Sequence, residues 1–202
     1  MDGKTSRKVE VIFRKGGGAL RMSEAVRQGV HRDTLRQMVS DGLLEKAGRG
    51  LYCLPGLLEK LPHPDLAVVG MRVPSGVVCL VSALAFHGLT TRIPQEVDLA
   101  IQPTAALPRI HYPPVRVFRF GGKSFDAGVE VHGHGPFVFR VYSREKTLAD
   151  CFKFRRVVGL ETCLEALKKY RDSGHFDGGL LEWHARVCRV ERVMRPYLEA
   201  IV

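Results

Sequence analysis

The feature that most limits what this chain can fold into is the glycine punctuation of its first 55 residues. Gly16-Gly17-Gly18, Gly29, Gly42, Gly48 and Gly50 cut this stretch into pieces of about a dozen residues or fewer. Glycine loses the most backbone entropy in a helix, so each stop also bounds an element. A first short helix is expected over residues 9–14, with Val9, Ile12 and Phe13 on one side. Ser23 is the expected N-cap of a helix over 24–28, and Gly29 its C′ stop. A second helix follows over 32–41, with Leu35, Met38 and Val39 on one face and Gly42 at its end. Residues 43–46 and 51–55 then flank the basic turn Ala47-Gly48-Arg49-Gly50, which reads as a hairpin. Two helices across a tight glycine turn, followed by such a hairpin, make a winged helix-turn-helix.

Charge gives this unit a partner class. The first 55 residues hold 11 Lys+Arg against 6 Asp+Glu, a net +5, and the whole chain carries +10. Such an excess favours a polyanion. On the helix over 32–41, the face opposite Leu35 and Val39 offers Arg32, Asp33, Arg36, Gln37 and Ser40, with Thr34 at its edge. Arginine can bond guanine and glutamine can bond adenine in the major groove. Arg27 closes the preceding helix, and Lys46 and Arg49 sit on the wing, suited to phosphates or the minor groove. The competing reading of this face is a solvated surface of a protein-interaction module.

The remainder reads as a second domain. Three prolines between Pro55 and Pro64 mark 56–64 as a linker between a domain over 1–55 and one over 65–202. Helices are expected over 65–72 and 77–87, and strands over 97–102, 115–120, 129–132 and 137–142. Further helices are expected over 144–157, 161–172, 178–186 and 191–201. The expected fold class is α+β: a winged helix-turn-helix, then an α+β domain with a mostly antiparallel central sheet and C-terminal helices.

Several function classes are disfavoured. An apolar content of 45% is too high for a disordered chain. The longest nearly apolar run, 77–89, is too short to span a membrane, and the basic N-terminus has no apolar run behind it. Five cysteines, an odd number with no CxxC spacing, read as reduced and mostly buried thiols of a cytoplasmic protein. His111, His132 and His134 lack nearby cysteines, and no metal or other cofactor is expected. Glu96 and Asp98 share a strand face but lack the clustered acids of metal-dependent phosphoryl chemistry. Gly16-Gly17-Gly18 lacks the lysine and spacing of a phosphate-binding loop. Ser82 is not in a nucleophile elbow, and His87 reads as a packed histidine near a helix C-terminus. No catalytic residue is therefore assigned. Lys146 and Asp150 stand at i, i+4, which fits either a surface ion pair or a cluster serving a partner or a nucleotide phosphate.

Four stretches together resemble the antitoxin of the AbiE abortive-infection toxin–antitoxin systems. They are residues 23–54, with Gly-Val, Arg32, Thr34-Leu35, Val39, Gly42 and Gly48-Arg49-Gly50; residues 79–89 followed by Ile93-Pro94; residues 141–155; and Glu165-Ala166-Leu167. His31 departs from the pattern, standing where a small capping residue is more usual. The resemblance implies a winged helix that binds inverted repeats in double-stranded promoter DNA and represses its own operon. It also implies a second domain that counteracts a nucleotidyltransferase-like toxin, functionally if not by stable contact. By motif it makes Ser82, His87, Lys146, Thr147 and Asp150 candidates for antitoxin activity. With no coiled-coil heptad, a monomer or a dimer formed on DNA is expected. The alternatives are a nucleotide-dependent enzyme that modifies the toxin, and a stand-alone transcription factor with a ligand-sensing second domain.

Overall fold

The computed structural model describes residues 3–133 and 135–200. Its elements form two compact units. One comprises residues 1–73, 109–113 and 133–139; the other comprises 74–108, 114–132 and 140–202.

The first unit begins with α1 (Gly3–Lys15), longer than expected, which buries Val9 and Phe13. A three-residue strand follows, β1 (Ala19–Arg21), which the sequence reading did not anticipate. It runs directly into α2 (Met22–Arg27), so the N-cap is Arg21 rather than Ser23. Glu24, at the third helical position, accepts a hydrogen bond from the Arg21 backbone N at 2.8 Å and satisfies that donor. Gly29, at φ +84°, takes the left-handed position after α2. Helix α3 (Arg32–Ser40) buries Leu35 and Met38. His31 caps it: Nδ1 accepts from the Asp33 backbone N at 3.3 Å, the role a small capping residue more usually fills.

The hairpin is present as β2 (Glu45–Gly48) and β3 (Leu51–Cys53). With β1 it forms an antiparallel sheet of order β1-β3-β2, with a bulge between Lys46 and Gly48. The proline-containing stretch carries a short 3-10 turn, and Leu57, Leu58 and Leu61 pack on a cluster that includes Leu51, Cys53, Ala67 and Met71. Helix α4 (Pro64–Arg72), with proline in its first turn, belongs to the same unit.

In the second unit, β4 (Val77–Val78) replaces the start of the helix expected over 77–87, and α5 (Leu80–Phe86) is correspondingly shorter. An unbroken apolar run carries no period that separates a buried strand from a buried helix. The other strands are β5 (Val97–Ile101), β6 (Val115–Arg119), β7 (Val129–His132) and β8 (Phe139–Tyr142), with the short α6 (Lys123–Asp126) before β7. Their order is β6-β5-β4-β8-β7. The sheet is mixed rather than mostly antiparallel: β4 runs antiparallel to β5, but β5 with β6 and β4 with β8 are parallel. Parallel neighbours need a crossover longer than a hairpin turn, and residues 102–114 supply one between β5 and β6.

The helices α7 (Arg144–Lys153), α8 (Arg155–Val158), α9 (Leu160–Asp172), α10 (Gly178–Val187) and α11 (Glu191–Glu199) complete this unit. The helix expected over 144–157 is thus split at Phe154, and the expected end at Ile201 lies outside the described residues. A core of Leu80, Leu84, Tyr142, Leu148, Phe152 and Leu167 joins sheet to helices. All five cysteines are free and buried. Among the described residues, no helix is long and apolar enough to cross a membrane.

Candidate nucleic-acid interface and a buried charge cluster

Leu35 and Met38 turn one face of α3 into the core, which leaves Arg32, Asp33, Arg36 and Gln37 in solvent, with Thr34 half-buried at the edge. Two of these side chains are held by nearby carboxylates, one on the helix and one at its C-cap. Arg36 Nη1 lies 3.1 Å from Asp33 Oδ1, and Gln37 Nε2 donates to Asp41 Oδ1 at 2.8 Å. Both contacts are exposed, so each is worth under about 1 kcal/mol and is readily exchanged for another partner. Arg32 has no side-chain partner among the described residues. Arg27 is exposed at the end of α2; Lys46 on β2 and Arg49 in the turn are exposed on the hairpin.

The turn is tied down by its backbone rather than by its side chains. Arg72, at the end of α4, donates Nη1 to the Arg49 carbonyl, and its Nη2 donates to the Arg109 carbonyl at 3.1 Å. Arg21 Nη2 likewise donates to the Met71 carbonyl. These anchors were not legible beforehand, because both join segments distant in sequence.

In the second unit, the antitoxin candidates separate into two groups. Ser82 Oγ accepts from the Asp98 backbone N at 2.9 Å and donates to the Glu96 carbonyl at 3.2 Å. It joins α5 to β5, and Asp98 completes the link. The Asp98 carboxylate takes the Val81 backbone N at 3.0 Å and the Arg116 guanidinium at 2.7 Å. Next to them in the chain, Leu80 takes φ +44°, a left-handed conformation unusual for a branched residue. Burial pushes the Asp98 carboxyl above its ordinary range, and the Arg116 contact opposes that shift.

The other four candidates gather around Tyr142. Its carbonyl accepts from His87 Nε2 at 2.7 Å and from Thr147 Oγ1 at 3.1 Å. Burial lowers the His87 pKa, consistent with a neutral ring donating through Nε2. Lys146 Nζ sits 4.0 Å from the centre of the Tyr142 ring and 2.5 Å from Asp150 Oδ2. The surface ion-pair reading is corrected here: both side chains are 0% exposed. The i, i+4 spacing does place them together, but the apolar neighbours of α7 close over both.

Asp150 also accepts from Cys188 Sγ at 3.2 Å. Burial raises the Asp150 carboxyl, and the Lys146 ammonium pulls it back. Beside the pair, Glu145 accepts from Tyr170 Oη at 2.5 Å and from Ser143 Oγ at 2.9 Å. His184 is buried with Nδ1 unpartnered among the described residues. Desolvation, followed by the Lys146 charge, lowers its pKa to about 4. Gly128, at φ +67°, admits this packing, since a Cβ there would lie 2.7 Å from both His184 Cε1 and Lys146 Cβ. Tyr170, His184 and Cys188 were missed in the sequence because no local spacing links them to α7, and Glu145, on α7 itself, is marked only by its bond to the remote Tyr170.

His132 bonds Glu130 at 2.9 Å and packs edge-on against Phe86; His134 lies outside the described residues. Among the described residues, no three His, Cys, Asp or Glu side chains converge as a metal would require.

The fold of the whole chain is similar to that of a solved protein. The chain matches the crystal structure of the RV2827C protein from Mycobacterium tuberculosis with a TM-score of 0.64, covering 96% of this chain and 80% of that one. At 14% identity, that likeness is one of fold alone. Among curated proteins, none matches. Residues 8–55, which carry α3 and the basic hairpin, match the family model described as "Transcriptional regulator, AbiEi antitoxin".

Proposed function

We propose that this chain is an antitoxin that also represses its own operon, with no catalytic turnover of its own. The winged helix binds inverted repeats in the promoter, and the second unit counteracts a nucleotidyltransferase-like toxin. The observation that carries this reading is the exposed, base-capable face of α3 beside the Lys46 and Arg49 hairpin, within the segment that matches the regulator family. In this reading Arg32, Thr34, Arg36 and Gln37 read bases, while Arg27, Lys46 and Arg49 grip phosphates. The protein acts in the cytoplasm as a monomer or as a dimer formed on DNA.

Full burial of Lys146 and Asp150 supports a supporting role for the α7 cluster rather than a phosphate site, because no ligand reaches either group with α7 in place. Ser82, His87 and Thr147, all spent on backbone contacts, hold the surface that opposes the toxin.

Titration of the full chain into the DNA upstream of its own gene tests the first half. Sequence-specific binding with a steep salt dependence is expected. Co-expression with the neighbouring gene tests the second half. The Arg32→Ala/Arg36→Ala double variant should lose repression and still rescue growth. Loss of both activities in a folded variant would overturn the division of labour between the units.

A further inference from the structure

We propose that residues 109–112 form a second DNA-contacting arm beside the wing, gripping the phosphate backbone of the same duplex. The inference rests on the winged-helix reading above and extends it to a segment far from residues 8–55 in sequence.

Residues 109–113 lie between β5 and β6 of the second sheet, yet they belong to the compact unit that holds the winged helix. One guanidinium links them to the wing. Arg72 donates to the Arg49 carbonyl in the wing turn and to the Arg109 carbonyl, so both carbonyls lie within reach of one side chain. Because both are held through main-chain oxygens, the side chains of Arg49 and Arg109 are left in solvent. Two exposed arginines from separate segments thus have their backbones anchored on one guanidinium beside the wing.

The arm's own chemistry suits phosphates. Arg109 and His111 are exposed, and Tyr112 is 70% exposed. A guanidinium, an imidazole and a phenol are donors that contact the DNA backbone. No acidic residue occurs from Pro103 to Pro114. Nothing in the arm therefore repels a polyanion.

The arm is also restrained before any ligand arrives. Pro103 and Pro108 before it and Pro113 and Pro114 after it fix φ on both sides. In the segment that leads into it, Arg119 Nη1 donates to the carbonyls of Gln102 at 3.2 Å, Pro103 at 2.5 Å and Ala105 at 3.0 Å. A segment pinned in this way loses little conformational freedom on binding. An exposed tyrosine and arginine on a restrained backbone are otherwise unexplained by the packing of either unit.

The test uses the full chain and the DNA upstream of its own gene. Binding is measured across a salt series, together with a hydroxyl-radical footprint. Arg109→Ala should reduce the slope of log affinity against log salt by about one, as expected for one lost phosphate contact. The footprint should lose protection at one edge, and Arg109→Lys should restore most of the slope. Arg49→Ala with Arg109→Ala should reduce the slope by about two. If the wild type binds with an operator footprint but Arg109→Ala leaves slope and footprint unchanged, the arm is not a DNA contact. If the wild type binds no DNA, the winged-helix reading itself fails and the arm fails with it.

Discussion

In the first unit Arg32, Arg36, Lys46 and Arg49 stand in solvent on a scaffold of short helices and three- or four-residue strands. In the second, Lys146 and Asp150 are sealed in the core, while Asp98, Glu145 and His184 are buried beside helices and strands. The same residue types do opposite things because their solvent differs. An exposed charge costs little to keep and is available to a partner, whereas a buried charge is tolerated only when paired and fixes the groups around it. The contrast teaches that position, not residue type, decides what a charge can do, and that the charged motif of α7 is architecture before it is anything else.

The largest test of the contrast is to break the buried pair from one side. Asp150→Ala leaves the Lys146 ammonium without its carboxylate and Cys188 without its acceptor. A loss of roughly 3–5 kcal/mol is expected in denaturant unfolding. Replacing the pair together, as Lys146→Met/Asp150→Leu, should recover most of that loss, because no unpaired charge remains. If Asp150→Ala unfolds like the wild type, water reaches the pair and the contrast collapses.

The next effect is a pH dependence confined to the second unit. The folded His184 pKa is near 4, against 6.5 unfolded. Between those values the unfolded chain binds the proton and the folded one does not, so stability falls as pH falls through that window. The shift of 6.5 − 4 corresponds to a ceiling of roughly 3 kcal/mol. Asp98 and Asp150, whose carboxyls are shifted upward, titrate in wild type and variant alike, so the stability difference between wild type and His184→Gln isolates the histidine. That difference should decline from pH 6.5 to pH 4; a flat difference means that His184 is solvated.

How much of this was legible in the sequence depended on whether the signal was local. Gly29 and Gly42 stop helices where their spacing said they would, and α3 begins at Arg32 as expected. The β7 bounds also match, since Gly128 and Gly133 flank a four-residue run. Failures came where partners are remote. Ala19–Arg21 is too short to announce a strand and forms one only by pairing with β3. The parallel ladder of β5 and β6 depends on a crossover that no periodicity reveals. Lys146 and Asp150 were recognised as neighbours, but their burial is set by Tyr142, Cys188 and His184, scattered over 46 positions from 142 to 188. Arg72, between the wing and residue 109, belongs to the same class of remote contact.

A middle-sized test asks whether the exposed charges are free of structural duty. Arg36→Ala removes a contact in the first unit that is already solvated. Its stability should stay within about 0.5 kcal/mol of wild type, while specific DNA binding weakens by about 1–3 kcal/mol if the side chain bonds a base. Melting and operator titration on one sample measure both. A variant that loses stability and keeps its DNA affinity would place Arg36 on the structural side of the comparison.

The smallest effect sharpens the comparison most, because it concerns a carboxylate where a polyanion is meant to bind. Asp33 lies 3.1 Å from Arg36 Nη1 and 3.4 Å from His31 Nδ1, all in solvent. As an acidic residue in the first turn of α3, it also favours the helix dipole, so Asp33→Asn should cost under about 1 kcal/mol. Its effect on DNA has two separable parts. The negative charge repels phosphates of any sequence, and the oxygen that bonds Arg36 gives that guanidinium a partner on its own helix. Asparagine removes the charge and keeps an oxygen acceptor, whereas alanine removes both. If Asp33 orients the reader, Asp33→Asn should raise affinity for random and operator DNA alike, whereas Asp33→Ala should raise affinity for random DNA and lower the ratio of operator to random binding. Equal ratios in the two variants would reduce Asp33 to a simple charge, and Arg36 would then find its base unaided.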